Sequence, residues 1–289
     1  MNTVTPADQR SRNTQLVRDL YQSLYREHRL DQAGTYFHPE YTEHDPLAAP
    51  GPDGPARHWR LMTGRFPELR AGIDHLVADT DRVMVFATWT GQAVTGERFR
   101  LHTAELYRIE DDRIAEHWNV VDRAVLAEHG VPGLDGDGVQ PPAPGPYLPY
   151  AGTERANAEL VLGAYREVFS EHRLDLAERY YHQDYRHHNV RTAAVPNGLD
   201  AFKVFFADNI AAFPDLTTTV DHLVAEGDRV MVFVTWRGTL TGAWSGGGPS
   251  GGQLTMRTCD QFRIENGKVA EHWEIVDYLA LARAGLPTP

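Results

Sequence analysis

Hydrophobic residues follow the same succession of spacings in both halves of the chain. Near the start of each half they recur every three or four positions, which predicts amphipathic helices over residues 16–25 and 160–169. A further helix is expected before each Phe-Pro pair and should end there, because the residue before a proline avoids the helical region. The helix before the second Phe-Pro pair covers residues 200–213. Two shorter helices are predicted over residues 30–37 and 174–181.

The remaining hydrophobic segments have the period of strands. Two of them, residues 83–89 and 230–236, are almost continuously apolar. The later segments alternate between apolar and polar side chains, as strands with one buried face do. They cover residues 101–109, 114–122, 256–264 and 269–277. Helices followed by an antiparallel meander are typical of an α+β architecture, in which the helices cover one face of the sheet.

The pattern repeats because the sequence itself repeats. Residues 73–90 and 220–237 are identical at 13 of 18 positions, at an offset of 147. Residues 115–122 return as 270–277 at an offset of 155, so the second copy carries an insertion of eight residues, near 245–252. A period of this length is too long for a solenoid unit and suits a whole domain. The sequence therefore predicts a duplicated domain.

A segment rich in proline and glycine separates the two copies. Residues 131–150 contain six prolines and four glycines, which do not fit the interior of a helix or a sheet. We therefore expect domain 1 over residues 10–130, a linker over 131–151 and domain 2 over 152–286. The proline-rich end should make this linker a semi-rigid spacer.

Composition and charge narrow the class of protein. The chain is 42% apolar, 24% charged and has a net charge of −12, which argues against nucleic acids and anionic membranes as partners. Its single cysteine, Cys259, cannot form an intrachain disulfide. Residues 1–14 contain no apolar segment of the kind found in signal peptides, and no later apolar run approaches the length of a membrane span. We expect a cytoplasmic protein.

The order of short motifs in both copies resembles one known family. Each copy carries Tyr-x-x-His-Asp/Asn (from Tyr41 and Tyr185), Phe-Pro-Glu/Asp-Leu (from Phe66 and Phe213) and then Ala-Glu-His-Trp-x-x-x-Asp near its end. This ordered set resembles the SnoaL-like polyketide cyclases of the nuclear transport factor 2-like superfamily. The resemblance covers nearly all of both copies. The same superfamily contains isomerases, epoxide hydrolases and binding domains, so fold alone does not fix the reaction.

The resemblance implies two tandem cone-shaped domains. In each, a curved antiparallel sheet would be wrapped by about three N-terminal helices around a pocket. Members of this family often pair through their sheets, so the tandem chain is expected to form a pseudo-dimer packed sheet to sheet, with a further homo-oligomer left open.

An acidic residue recurs among the inward positions of the penultimate strand. Successive side chains of a strand alternate between faces, and the set that contains Glu105, or Asp260 in the second copy, is otherwise mostly apolar. Burial of a carboxyl group is costly and raises its pKa, which makes these two acids functional candidates. The resemblance supports this, since ketosteroid isomerases carry an acid at this strand position.

The last strand supplies a second pair of candidates. One of its faces carries His117 and Asn119 in the first copy and His272 and Glu274 in the second. Alternation alone does not say which face lines the pocket. The family pattern places an aspartate directly after the tryptophan, so only the second copy keeps a carboxylate there. Trp118 and Trp273 are expected in sheet packing, and Asp122 and Asp277 in a turn or helix cap.

The early strand of each copy carries a third pair of candidates, His44 and His188. A histidine in a strand that lines the pocket can act as an acid or base near neutral pH. Among nearby histidines, residues 187 and 188 point to opposite faces, and the chain has no HExxH motif. We therefore expect neither a metal nor a cofactor. The candidates in this strand are His44, Asp45 and His188; Asp45 aligns with Asn189, so the two copies do not share an ionisable group there.

Together, these residues and the resemblance predict a cofactor-independent cyclase. It would act on a small, hydrophobic, polyketide-like polycarbonyl substrate by enolisation and aldol-type ring closure. Glu274 is the expected proton carrier, with Asp260, His272 and His188 as neighbours. The second pocket would contain Glu105, His117, Asn119, His44 and Asp45. Two alternatives stay open: an isomerase or epoxide hydrolase of the same superfamily, and a non-catalytic protein that binds a hydrophobic ligand.

Overall fold

The chain folds into two compact units of similar construction. The computed structural model divides into Met1–Gln140 and Pro141–Pro289, which we call domain 1 and domain 2. The described residues are 5–136, 138, 140, 150–189, 197–244 and 248–286. The predicted linker and insertion therefore fall partly outside them, at residues 137, 139, 141–149 and 245–247.

In domain 1 a long helix leads through short helical turns into the sheet. The side chains of Thr5 and Asp8 cap each other's backbone N–H at the start of this helix. The elements are α1 (Pro6–Leu20), a π-helical turn (Tyr21–Arg26), a 3₁₀ turn (Leu30–Gln32), α2 (Ala33–Tyr36), β1 (Phe37–Glu43), α3 (Gly54–Arg65), β2 (Arg70–Ala78), β3 (Arg82–Gln92), β4 (Arg98–Glu110), β5 (Arg113–Val121) and α4 (Arg123–Glu128).

Domain 2 repeats this order. Its elements are α5 (Gly152–Ala164), a π-helical turn (Tyr165–Ser170), a 3₁₀ turn (Leu174–Leu176), α6 (Ala177–Tyr180), β6 (Tyr181–Asn189), α7 (Leu199–Ala212), β7 (Thr217–Glu226), β8 (Arg229–Thr239), β9 (Gln253–Glu265), β10 (Lys268–Val276) and α8 (Tyr278–Arg283). Among the described helices, none is both long and apolar enough to cross a membrane. The cytoplasmic location stays a prediction.

Each domain contains one five-stranded sheet. The strand order is β1-β5-β4-β3-β2 in domain 1 and β6-β10-β9-β8-β7 in domain 2. The predicted α+β class with two tandem domains is confirmed. The sheets are mixed, however, because β1 runs parallel to β5 and β6 runs parallel to β10. In each domain a helix and three strands separate the two partners of this pair, a connection long enough for a parallel pair, which a tight hairpin cannot join. Packing of the two sheets on each other stays a prediction.

A histidine fixes the end of the first helix in each domain. His28 and His172 adopt positive φ angles of 59° and 58°, two residues after the last residue of the π-helical turn. The Nε2 atom of His28 lies 2.7 Å from the carbonyl oxygen of Leu69, and that of His172 lies 2.9 Å from the carbonyl oxygen of Leu216. These contacts tie the helix to the residue before β2 or β7. They hold the aromatic side chains of the turn over the inner face of the sheet.

Candidate functional site

Domain 2 encloses a large aromatic cavity between its helices and the inner face of its sheet. The cavity volume is about 390 Å³. Six polar lining residues come from β6, β9 and β10, and they are His187, Asn189, Thr258, Asp260, His272 and Glu274. The aromatic lining consists of Tyr165, Phe169, Tyr185, Phe202, Phe205, Phe206, Phe213, Trp236, Trp244 and Tyr278. This lining suits an apolar, ring-containing ligand.

One of the polar pairs joins His272 to the buried Asp260. The Nε2 atom of His272 lies 2.8 Å from Asp260 Oδ1, and Thr258 donates its hydroxyl to the other carboxylate oxygen at 2.6 Å. Trp236 in turn donates to the Thr258 hydroxyl at 3.0 Å, and Phe262 stacks on the imidazole at 4.6 Å. Within the described residues no hydrogen-bond partner lies at Nδ1 of His272. The ring is therefore fixed, with one nitrogen left for a ligand.

The other polar pair joins Glu274 to His187. The Nε2 atom of His187 lies 3.3 Å from Glu274 Oε1, and the side-chain amide of Asn189 donates to the same oxygen. Burial opposes ionisation of Glu274, but the charge and hydrogen bond of His187, with help from His272, hold its pKa below the usual range. Burial acts to lower the pKa of His187, but the charge and hydrogen bond of Glu274 outweigh burial, so this pKa is raised above its ordinary value. The two side chains thus form an ion pair.

The equivalent histidine of domain 1 is enclosed by two acids. His117 contacts Glu43 through Nδ1 at 2.9 Å and Glu105 through Nε2 at 2.7 Å. Burial alone would lower the pKa of His117, but the two carboxylates raise it well above its ordinary value. Burial raises the pKa of Glu105, as predicted, despite its hydrogen bonds from His117 and Thr103. Neither ring nitrogen is left for a ligand.

Three further polar residues of domain 1 satisfy one another. The side-chain amide of Asn119 donates to Asp45 at 2.8 Å. Gln140 donates to the Asn119 side chain at 2.8 Å and accepts from its backbone N–H at 3.0 Å. Gln140 belongs to the predicted linker but is buried in domain 1. The cavity beside these groups measures only about 100 Å³, so domain 1 offers a ligand much less room than domain 2.

The predicted residues are only partly brought together. Asp260, His272 and Glu274 share the cavity of domain 2, and Glu105, His117, Asn119 and Asp45 share that of domain 1. The two Trp residues of the last strands line neither cavity. Asp122 caps α4 by accepting from the Ala124 backbone N–H at 3.2 Å, which confirms the predicted cap.

The structure corrects the placement of His188 and His44. His188 contacts Glu271 at 3.0 Å and stacks on Trp273, on the face of β6 that points away from the cavity. His44 makes the equivalent contacts with Glu116, at 2.9 Å, and with Trp118. The physical reason is strand alternation, because the buried tyrosines at positions 41 and 185 already point inward.

Sequence reasoning missed the residues that do face inward, Glu43 and His187. Each lies two positions after an inward tyrosine, so counting from Tyr41 and Tyr185 would have found them. His187, His272 and Glu274 also offer ligand atoms that all lie within 4.8 Å of one another, an arrangement that could hold a metal ion. Local spacing could not reveal this set, because its members come from two strands that are distant in the sequence.

A family model described as SnoaL-like polyketide cyclase matches residues 15–129 and 159–285. The chain belongs to the SnoaL-like polyketide cyclase family. The two matched segments lie one in each domain, which confirms the family predicted from the motifs and its tandem occurrence. A search among curated proteins finds no match to this chain.

Three solved structures that are similar to this chain each match a little under half of its length. A proposed SnoaL-like polyketide cyclase from Jannaschia sp. CCS1 is 26% identical; the match covers 49% of this chain and 100% of that chain, with a TM-score of 0.44. TsrD from Streptomyces laurentii is 28% identical, with coverages of 46% and 95% and a TM-score of 0.39. IdmH, a proposed polyketide cyclase from Streptomyces antibioticus, is 28% identical, with coverages of 45% and 99% and a TM-score of 0.39.

Proposed function

We propose that this SnoaL-like protein is a cofactor-independent cyclase that closes a ring on a polyketide-like polycarbonyl substrate in domain 2. The observation that carries the proposal is the state of His272. Asp260 holds its Nε2 atom at 2.8 Å, and its Nδ1 has no partner among the described residues. A histidine oriented by a carboxylate, with its other nitrogen available to a ligand, is suited to general acid–base catalysis.

The ring closure needs one proton to leave carbon and one to reach oxygen. His272 would take a proton from the carbon between two carbonyl groups, which leaves an enolate. The enolate carbon attacks a second carbonyl, forms the new C–C bond, and the resulting alkoxide takes the proton back from His272. Asp260 stabilises the intermediate imidazolium. Positioned acid–base groups contribute roughly 10²–10⁴-fold each, and the cavity supplies the folding of a flexible substrate.

Glu274 receives a different role from the one that the sequence favoured. Its Oε1 atom already accepts from Asn189 and contacts His187, so the carboxylate is occupied by other groups. We assign Glu274 to hold His187, whose ring can donate to the enolate oxygen. Glu274→Gln would then lower the rate less than His272→Gln does, whereas a larger loss in Glu274→Gln would return the proton transfer to Glu274.

The isomerase alternative retains one supporting observation. Asp260 and Glu274 stand directly opposite each other on β9 and β10, and both line the same cavity. Two carboxylates beside one small substrate are what proton shuttling or epoxide opening would require. If the protein only binds a hydrophobic ligand, substitution of Asp260, Glu274 or His272 should change the rate of no reaction.

A simple probe tests the proposed chemistry before the natural substrate is known. An aryl 1,3-diketone contains the acidic carbon that the mechanism requires, and its exchange of hydrogen for deuterium can be followed by NMR. The wild-type protein should accelerate this exchange above the buffer rate, and His272→Gln should lose about 10²-fold of that rate or more. No acceleration by the wild-type protein would contradict an enolising enzyme and favour the binding role.

A further inference from the structure

Two side chains of domain 2 stand at the separation that a tetrahedral metal ion imposes on its ligands. The Nε2 atom of His187 lies 3.3 Å from Oε1 of Glu274. Ligand atoms bound at about 2.0–2.2 Å around tetrahedral zinc are roughly 3.3–3.6 Å apart. His272 completes the group, since the ligand atoms of all three residues lie within 4.8 Å of one another. A small movement of one ring would close the set around an ion.

The surroundings of these residues match those of known metal ligands. A histidine that binds a metal through one nitrogen usually gives the other nitrogen to a carboxylate, and a ligating carboxylate is itself hydrogen-bonded. Asp260 occupies Nε2 of His272 at 2.8 Å and leaves Nδ1 for the ion. Asn189 donates to Glu274 and contacts the Tyr278 hydroxyl at 2.8 Å. Supporting contacts are thus in place for two of the three ligands.

We infer that His187, His272 and Glu274 form a binding site for a divalent transition-metal ion of the zinc type. Two imidazoles and one carboxylate suit Zn²⁺ and Co²⁺ and are a poor set for Mg²⁺ or Ca²⁺, which prefer oxygen ligands. The ligands come from the adjacent strands β6 and β10. The remaining coordination position faces the aromatic cavity, where a water molecule or a ligand oxygen can enter.

Domain 1 provides an internal comparison. At the corresponding positions it has Glu43, His117 and Asn119. Both nitrogens of His117 are bound by carboxylates, at 2.9 Å and 2.7 Å, and Asn119 is a neutral amide engaged by Asp45 and Gln140. This arrangement leaves no imidazole nitrogen for an ion. The chain should therefore bind one such ion, in domain 2.

The inference does not rest on the proposed reaction, although it concerns the same three side chains. A bound ion would take Nδ1 of His272, the atom to which the acid–base mechanism assigns the proton, so metal and turnover would compete. Binding is measured without any substrate. A protein that binds the ion but does not enolise, or the reverse, would separate the two proposals.

Titration of the metal-free full chain tests the site. Co²⁺ should bind with one ion per chain and give the visible absorption of a tetrahedral complex, and Zn²⁺ should displace it. His272→Gln and Glu274→Gln should each weaken binding about 10-fold or more, and Asp260→Asn by about 10–100-fold. His188→Gln is the matched control, because its side chain lies on the opposite face of the same strand.

The Co²⁺ titrations can either support or overturn the metal site. Circular dichroism and thermal unfolding show which variants keep the fold. If either His272→Gln or Glu274→Gln fails to fold, the other variant still tests the site. Loss of the Co²⁺ spectrum in a folded variant of either ligand, with His188→Gln unchanged, supports the site. Absence of Co²⁺ binding to the wild-type chain overturns it. So does binding that survives both ligand substitutions.

Discussion

Asn189 donates its side-chain amide to Glu274 across the parallel strands β6 and β10, and domain 1 makes the same contact with the two groups exchanged. There, Asn119 on β5 donates to Asp45 at 2.8 Å. Each domain thus keeps one amide and one carboxylate at this contact, but the acid lies on the last strand only in domain 2. The duplication preserved the pair and moved the charge.

The exchanged pair predicts how each position responds to charge. Asn119→Asp would place a buried carboxylate in contact with the half-buried Asp45 in domain 1 and should destabilise the domain by about 1–3 kcal/mol. Adding Asp45→Asn to that variant rebuilds the arrangement of domain 2 and should recover most of the loss. Amide hydrogen exchange of β5, measured for both single variants and the double variant, gives the coupling. Additive effects of the two substitutions would show that the residues do not interact.

The orienting role of Asp260 predicts a specific loss. Asp260→Asn keeps the shape of the side chain but removes the charge that holds His272 Nε2. Exchange of the aryl 1,3-diketone should fall at least about 10-fold while the thermal unfolding midpoint changes little. Glu105→Gln is the equivalent change in domain 1 and should leave the exchange rate unaltered. Equal losses in both variants would mean that the acids act on stability alone.

The acids around His117 predict a pH dependence of stability for domain 1. The pKa of His117 is raised well above 6.5 in the folded protein. Its stabilising effect is therefore complete below about pH 6.5 and is lost as the pH rises through the folded pKa. The pKa of Glu43 is lowered from 4.5, so its effect is lost as the pH falls below that value. The stability difference between wild type and His117→Gln should be largest near pH 5–6.5.

Amide hydrogen exchange of domain 1 peptides over a pH series measures this difference. The pKa of Glu105 shifts in the opposite direction to that of Glu43. Burial raises the pKa of Glu105, so its ionisation in the folded state costs free energy. A difference that grows steadily from pH 6.5 to pH 9 would contradict the assignment of a positively charged His117 between two carboxylates.

Trp244 lines the cavity of domain 2 and is expected to contact the bound ligand. Its indole donates to Asn209 at 3.0 Å and lines the cavity just before the segment inserted in the second copy. Trp244→Ala should weaken binding of the aryl 1,3-diketone by about 10-fold, since a buried aromatic contact contributes on the order of 1 kcal/mol or more. Isothermal titration would detect this. Unchanged affinity would place the ligand elsewhere in the cavity.

Much of the fold and part of the site could be predicted from the sequence. The repeat gave the two domains, and alternation placed Glu105 and Asp260 inward correctly. In the early strands, alternation separates residue 187 from residue 188 but does not say which of the two points inward, and register shifts interrupt the pairing of β1 with β5 and of β6 with β10. The sequence motif therefore favours His44 and His188, whereas the inward positions belong to Glu43 and His187.

Other contacts leave no local signal. The His187–Glu274 pair joins residues from strands that pair only in the folded domain. Gln140 lies in a segment whose composition predicts a linker, yet its amide completes the polar network of Asn119. Such contacts depend on tertiary structure, and neither periodicity nor residue spacing reports them.

The central claim is that the chemistry lies in domain 2 and depends on the nitrogen that Asp260 leaves open on His272. The most direct measurement compares His272→Gln with His117→Gln in the deuterium-exchange assay on the aryl 1,3-diketone, at one pH and with the fold of both variants verified. We predict that His272→Gln loses about 10²-fold or more of the rate, while His117→Gln keeps it. Loss of the rate in His117→Gln, with His272→Gln still active, would contradict the account.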